Sequence, residues 1–240
     1  MANENIHTYD NGFHPKEVKL KDNYKFYNKN IIFRFFSRIT ATLANVWLIF
    51  PKLFMGYKII GKKNFKKING AILISNHIHF LDAFFIVSSL FYKKIYVTML
   101  QSNLGFGLVS KYIRLAAAVP IPNDTKMFRK FSRQTSEALD RKANILFYPE
   151  AALMPYCDHI RNFLPGAFHF AVKNNAPIIP CCFTFHKPKG LYKLFRKKPL
   201  VHFNILEPYY LNENDNNEIV AEKLNKLISE YFNEHSDYYK

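Results

Sequence analysis

Glycine is scarce in this chain, with only 8 among 240 residues. Neither G-x-G-x-x-G nor G-x-x-x-x-G-K-[ST] occurs. Both patterns need glycine to bring backbone against phosphate, so a dinucleotide-binding or P-loop enzyme is not expected. G-x-S-x-G is also missing, which removes the strained serine elbow of the α/β hydrolases. The three cysteines, Cys157, Cys181 and Cys182, lack the paired C-x-x-C spacing of a zinc site. The last two lie in an apolar run and read as core. The nine histidines include no H-E-x-x-H, so no metal and no bound cofactor are expected. A reducing, cytosolic compartment is the default for such cysteine usage. The first 30 residues are polar and mixed in charge, unlike a secretory signal peptide, and read as a tail.

Acid is the next shortage. Lys and Arg number 34 against 18 Asp and Glu, a formal net charge of +16. Between Asn23 and Asn123 the only acidic residue is Asp82, whereas residues 207–240 lean acidic. A solubility charge mixes its signs. A long one-signed stretch implies a negative partner, either nucleic acid or an anionic membrane. No nucleic-acid-binding motif accompanies the charge, so the membrane is preferred.

Residues 31–50 form the strongest periodic element. Ile32, Phe36, Ile39, Leu43, Val46, Trp47 and Phe50 share one side of a helix, and Arg34, Ser37, Arg38 and Asn45 the other. Pro51 ends the pattern. The uncharged, mainly apolar part, residues 39–50, is 12 residues long, whereas a membrane span needs about 20. An amphipathic helix lying in the membrane plane fits better. The competing reading is a core-packed helix, and the unopposed lysines around it favour the membrane. The expected division is a polar tail over 1–30, a membrane-docking segment over 31–60 and one domain over 61–240.

From residue 70 onward strand and helix patterns alternate. Apolar, β-rich runs at 71–76, 95–100, 144–149, 177–185 and 200–206 separate helical patterns at 82–92, 104–113, 124–142, 166–174 and 216–233, with a short strand at 116–121. The expected fold is α/β, a mixed sheet flanked by helices, with the N-terminal amphipathic segment added. The basic run 187–198 contains no acid. It reads as a solvated loop, with a membrane, a phosphate group or an acidic carrier protein as its alternative contacts.

Ser75-Asn76-His77-Ile78-His79-Phe80-Leu81-Asp82 is where chemistry concentrates. His77 follows a buried strand and Asp82 opens the next helix, so the turn between them brings the two side chains together. A carboxylate on Nδ1 would leave Nε2 as a base, the orienting logic of a Ser-His-Asp triad without its serine. Against this stands a plain helix cap at Asp82 and an ordinary loop histidine. A lone acid beside an apolar helix, however, needs a partner. His79 is a rival base.

Asn76-His77-x-x-x-x-Asp82 resembles the first motif of the glycerolipid acyltransferases, the lysophosphatidic acid acyltransferase group. Phe147-Tyr148-Pro149-Glu150 resembles the family's Phe-Pro-Glu segment. Arg161 through Phe168 is similar to its Phe-x-x-Gly-Ala segment, and Ala176-Pro177-Ile178-Ile179-Pro180 to the apolar proline motif that follows. Where the family often reads Glu-Gly-Thr-Arg, this chain has Glu150-Ala151-Ala152-Leu153. Arg161 stands as the replacement for the missing arginine. Arg114, Lys126 and Arg129 are candidates for the family's second-motif cation.

The resemblance implies an O-acyltransferase at the cytoplasmic face of a membrane, peripheral or monotopic. It implies a coenzyme A or acyl-carrier-protein thioester as donor and a lysophospholipid as acceptor, with 1-acylglycerol-3-phosphate giving phosphatidic acid as the simplest case. His77 would be the base and Asp82 its orienter, with transfer direct and the oxyanion held by backbone N–H groups. Asn76, Glu150, Arg161, Gly166 and Ala167 would line the substrate, Arg161 and the Gly166 helix start taking the acceptor phosphate. The alternatives are another lysolipid acceptor or an inactive relative that only binds lipid.

Overall fold

The structure is a computed structural model that describes residues 18–28 and 30–240. Its centre is a seven-stranded mixed sheet of order β1-β7-β6-β2-β5-β3-β4. The strands are β1 (Lys58–Ile60), β2 (Ile72–Ile74), β3 (Ile95–Leu100), β4 (Ala118–Ile121), β5 (Asn144–Phe147), β6 (Ile178–His186) and β7 (Leu200–Ile205). The helices are α1 (Ile31–Trp47), α2 (Ile49–Phe54), α3 (Lys62–Lys66), α4 (Asp82–Ser89), α5 (Leu108–Leu115), α6 (Thr125–Asp140), α7 (His169–Asn174), α8 (Tyr192–Phe195) and α9 (Asn217–His235). This is the α/β fold with flanking helices that the alternating pattern leads one to expect.

All pairings are parallel except β6 with β7. The central strands are buried on both faces, as parallel strands under helical cover must be. Ile72, Leu73 and Ile74 are fully enclosed. Strand β6 does two jobs. Its first three residues pair with β2 and its last six with β7. The many phenylalanines fill the space between sheet and helices. Phe131 of α6 meets Phe170 of α7 at 5.4 Å, and Phe170 stacks on Phe147 of β5 at 5.4 Å.

Two expectations about the first sixty residues need correction. Residues 1–17 and 29 of the expected tail lie outside the described residues, but residues 24–28 are no tail. Phe26 and Tyr27 are buried core residues. The Tyr27 hydroxyl meets the Thr135 hydroxyl at 2.9 Å, and the Gln134 side chain accepts from Phe26 N at 3.0 Å. Arg114 donates to the carbonyls of Lys25 and Phe26. The burial of two aromatics outweighs the polar average of the segment. The docking segment also ends earlier than residue 60. β1 pairs with β7, so residues 58–60 belong to the sheet.

The N-terminal arm is present as α1 and α2, nearly continuous. The stretch Ile31–Phe54 is long and apolar enough to cross a membrane by length and composition. Asn30 caps α1 by accepting from Ile32 N and Phe33 N. Its apolar side is not packed on the domain: Ile32, Phe36, Leu43, Val46, Trp47 and Phe50 are all exposed. The core-helix reading of this segment therefore fails.

Candidate active site

The first-motif loop, residues 75–81, runs from the C-terminal end of β2 to the start of α4. Open α/β sheets place their sites at such strand ends. Asp82 is fully buried and is the first residue of α4, but it does not cap the helix in the ordinary way. Its carboxylate turns back to the loop instead. One oxygen, Oδ2, accepts from His77 Nδ1 at 2.7 Å, from Ile78 N at 3.0 Å and from His79 N at 3.4 Å. The other, Oδ1, accepts from the Tyr148 hydroxyl at 2.9 Å. The lone acid of the basic half has thus gathered four donors, as a buried carboxylate must.

Because Asp82 can only accept, Nδ1 of His77 carries the proton and Nε2 is left as the basic atom. The 2.7 Å separation is that of a charge-assisted hydrogen bond. The imidazole lies flat on the Tyr148 ring, centroids 4.1 Å apart and planes 18° apart, and the side chain remains partly open to solvent. Burial, with the Asp82 charge behind it, pushes the Tyr148 phenol far above its usual range. Tyr148 therefore stays protonated and keeps donating. Sequence reasoning missed this residue, although it stands inside a segment singled out for its neighbour Glu150.

His79 is placed differently. Its Nδ1 accepts from Leu81 N at 3.1 Å. Burial pushes its imidazole down more than the Asp82 charge pulls it up, and the Lys198 and Arg196 charges add to the lowering. Asn76 turns into the sheet. It is buried, and its amide bonds both the N–H of Phe183 at 2.8 Å and the C=O of Phe183 at 3.1 Å. The side-chain amide mimics one more peptide of the β2–β6 ladder at the point where β2 leaves the sheet. Its match to backbone geometry explains the residue.

Glu150 ties backbone and side chain together. Its carboxylate accepts from His77 N at 3.2 Å, from Arg161 N at 3.2 Å and from Arg161 Nη2 at 2.8 Å. Arg161 Nη2 also donates to the Ala152 carbonyl, and the Arg161 carbonyl accepts from Asn225 of α9 at 2.8 Å. The pair therefore knots three segments, 75–82, 150–156 and 161–168, into one unit. Met154 N and Tyr156 N extend the knot by donating to the His77 and Ile78 carbonyls at 3.1 and 3.2 Å. Ala151 turns this loop with φ +60°, a left-handed conformation that favours glycine, the residue the family pattern has here.

The remaining candidates separate clearly. Gly166 is exposed, and a Cβ placed on it would meet nothing within 4 Å. It sits in a single 3-10 turn, Pro165–Ala167, ahead of a six-residue α7, so the helix expected to start at Gly166 starts at His169. Ala167 faces the core. Arg114 is committed to residues 24–28, and Lys126 forms a surface ion pair with Asp22 at 3.0 Å. Arg129 is exposed on α6. The N–H groups of His77, Ile78, His79 and Leu81 are all spent on side chains, so this loop offers none of those four to an oxyanion. Cys157, Asp158 and His159 bring their polar atoms within 4.8 Å of one another at the surface, a consequence of being consecutive residues.

A general model of the acyltransferase domain matches residues 56–184, which hold His77, Asp82, Glu150 and Arg161. The chain belongs to the acyltransferase family. The matched segment runs from just before β1 through most of β6. The fold is similar to the crystal structure of the 1-acyl-sn-glycerophosphate (LPA) acyltransferase PlsC from Thermotoga maritima, with a TM-score of 0.55 at 16% identity. The likeness covers 86% of this chain and 97% of that one. A search of curated proteins returned no match.

Proposed function

We propose that this acyltransferase moves a fatty acyl group from a thioester to the free hydroxyl of a lysophospholipid, with 1-acylglycerol-3-phosphate giving phosphatidic acid as the simplest case. The observation that carries the reading is the 2.7 Å bond between His77 Nδ1 and buried Asp82, which leaves Nε2 basic at a partly open face. The acyl donor is a coenzyme A or carrier-protein thioester, and no further cofactor takes part.

His77 Nε2 takes the hydroxyl proton as the acceptor oxygen attacks the thioester carbonyl. The resulting imidazolium is stabilised by Asp82, which stays ionised. The tetrahedral intermediate collapses, the C–S bond breaks, and the leaving thiolate recovers the proton from His77. Transfer is direct, in keeping with the absence of a serine elbow. The acceptor phosphate rests in the open ground at Gly166, within the field of Arg161, whose Nη2 stays committed to Glu150.

The acceptor is supplied by a membrane. The exposed apolar side of α1 and α2 is the surface that enters it, lying in the headgroup plane of an anionic leaflet at the cytoplasmic face. No nucleic acid is involved. The test supplies labelled acyl-CoA and acyl-carrier protein in turn to vesicles carrying lysophosphatidic acid or another lysolipid, and identifies the product by mass. Phosphatidic acid supports the reading. A different diacyl product shifts the acceptor. No product from any pair, with vesicle binding retained, points to an inactive lipid-binding relative.

A further inference from the structure

The basic run 187–198 is not the solvated loop its composition suggests. It holds a turn at Gly190 and Leu191 and a short helix, α8, which together carry three large apolar side chains outward: Leu191 is 76%, Leu194 82% and Phe195 55% exposed. Polar loops do not expose such a cluster without a use for it.

The segment is also pinned to the membrane arm. The Tyr192 hydroxyl donates to the Leu53 carbonyl at 2.6 Å, and buried Arg196 donates through Nη1 to the Phe54 carbonyl at 3.1 Å. The Arg196 guanidinium lies over the Phe54 ring, and the Phe54 and Phe195 rings are 6.0 Å apart. Arg196 is further fixed by two bonds to the Pro199 carbonyl. The exposed side chains of α8 therefore continue the exposed apolar surface of Phe50, Leu53 and Phe54 on α2.

On its other side the segment reaches the catalytic loop. Lys198 lies over the Tyr156 ring at 5.2 Å, and Tyr156 packs edge-on to His79 at 6.1 Å. Lys193, Lys197 and Lys198 are exposed and have no acidic partner among the described residues. An apolar tip bordered by unpaired lysines matches the leaflet of an anionic bilayer, acyl chains below and phosphates at the rim.

We infer that residues 190–198 are a second membrane contact, which seats the rim of the catalytic loop on the same leaflet as α1 and α2. The occupant is anionic lipid. The inference rests on the membrane-docking reading above and adds a C-terminal element to it. With these two adjoining contacts on one leaflet, the catalytic loop is held near the membrane surface from which a lysolipid would come.

Two variants test it. In the first, Leu194→Trp is placed in a Trp47→Phe background, so that the single indole reports on α8 alone. Vesicles of phosphatidylglycerol and phosphatidylcholine should shift its emission to the blue, and brominated lipid should quench it. In the second, Leu191→Glu with Leu194→Glu should lower vesicle partitioning about 10- to 100-fold. Its turnover of a short-chain, monomeric lysolipid should stay within about twofold of the parent. Co-sedimentation of the indole-bearing variant with its emission unshifted, together with full binding by the double variant, would overturn the α8 contact while leaving the arm intact. Parent protein that ignores vesicles would overturn both. Full vesicle binding by the double variant, with activity lost only on carrier-protein thioesters, would assign the patch to a carrier protein and overturn the lipid assignment.

Discussion

The catalytic loop and the N-terminal arm are opposite solutions to holding a shape. At the loop, two buried carboxylates accept seven hydrogen bonds between them, four at Asp82 and three at Glu150. Along the arm, large apolar side chains stand exposed. Among its ties to the domain are Ser37 Oγ to the Leu115 carbonyl at 2.5 Å and Lys52 Nζ to Ser89 Oγ at 3.1 Å. The loop is complete within the protein. The arm leaves its apolar side open, and the proposed membrane is what would complete it. Substitutions should therefore affect catalysis and stability in the first region, and membrane partitioning in the second.

The largest effect is expected at Asp82. Asp82→Asn removes the acceptor that fixes the His77 tautomer and should lower kcat by about 10³- to 10⁴-fold. Vesicle co-sedimentation should not change. Loss of binding as well would merge the two regions into one. Next comes Glu150→Ala. It strands the Arg161 guanidinium and two backbone N–H groups in a buried place, at a cost of about 3 kcal/mol. The urea midpoint should fall accordingly, and a midpoint equal to the parent's would show that the knot is ornamental.

On the arm, Phe36→Glu with Leu43→Glu should weaken vesicle partitioning at least about tenfold. The same pair should alter unfolding free energy by no more than about 0.5 kcal/mol. A large stability loss would mean that this face packs on the domain after all. The smallest effect is a gain. Ala151→Gly relieves a left-handed alanine and should add about 1 kcal/mol to stability, read as a rise in Tm of about 2–4 °C.

The same contrast explains what the sequence disclosed. Strand β3 was legible to the residue, because Ile95 through Leu100 is a run of apolar and β-branched residues ending where a 3-10 turn begins. β1 was not, since three residues carry no period and its partner β7 lies far along the chain. Residues 24–28 passed for a tail because Tyr27 finds Thr135 across 108 positions. The His77–Asp82 pair was legible because an acid alone in a basic stretch beside an apolar helix needs an explanation. Tyr148 was hidden because it reaches Asp82 from 66 residues away. Asn76 and Ala167 were placed at the substrate by resemblance, and the structure gives one to the β2–β6 ladder and the other to the core.

The central claim is that His77 is the base of an acyl transfer. The most direct measurement is the rate of thiol release from a saturating acyl thioester on lysophosphatidic acid vesicles, for the parent and for His77→Ala. The variant is expected to keep its fold and its vesicle binding while the acceptor-dependent rate falls by about 10²- to 10⁴-fold. A folded His77→Ala protein that releases thiol at the parent's rate would contradict it.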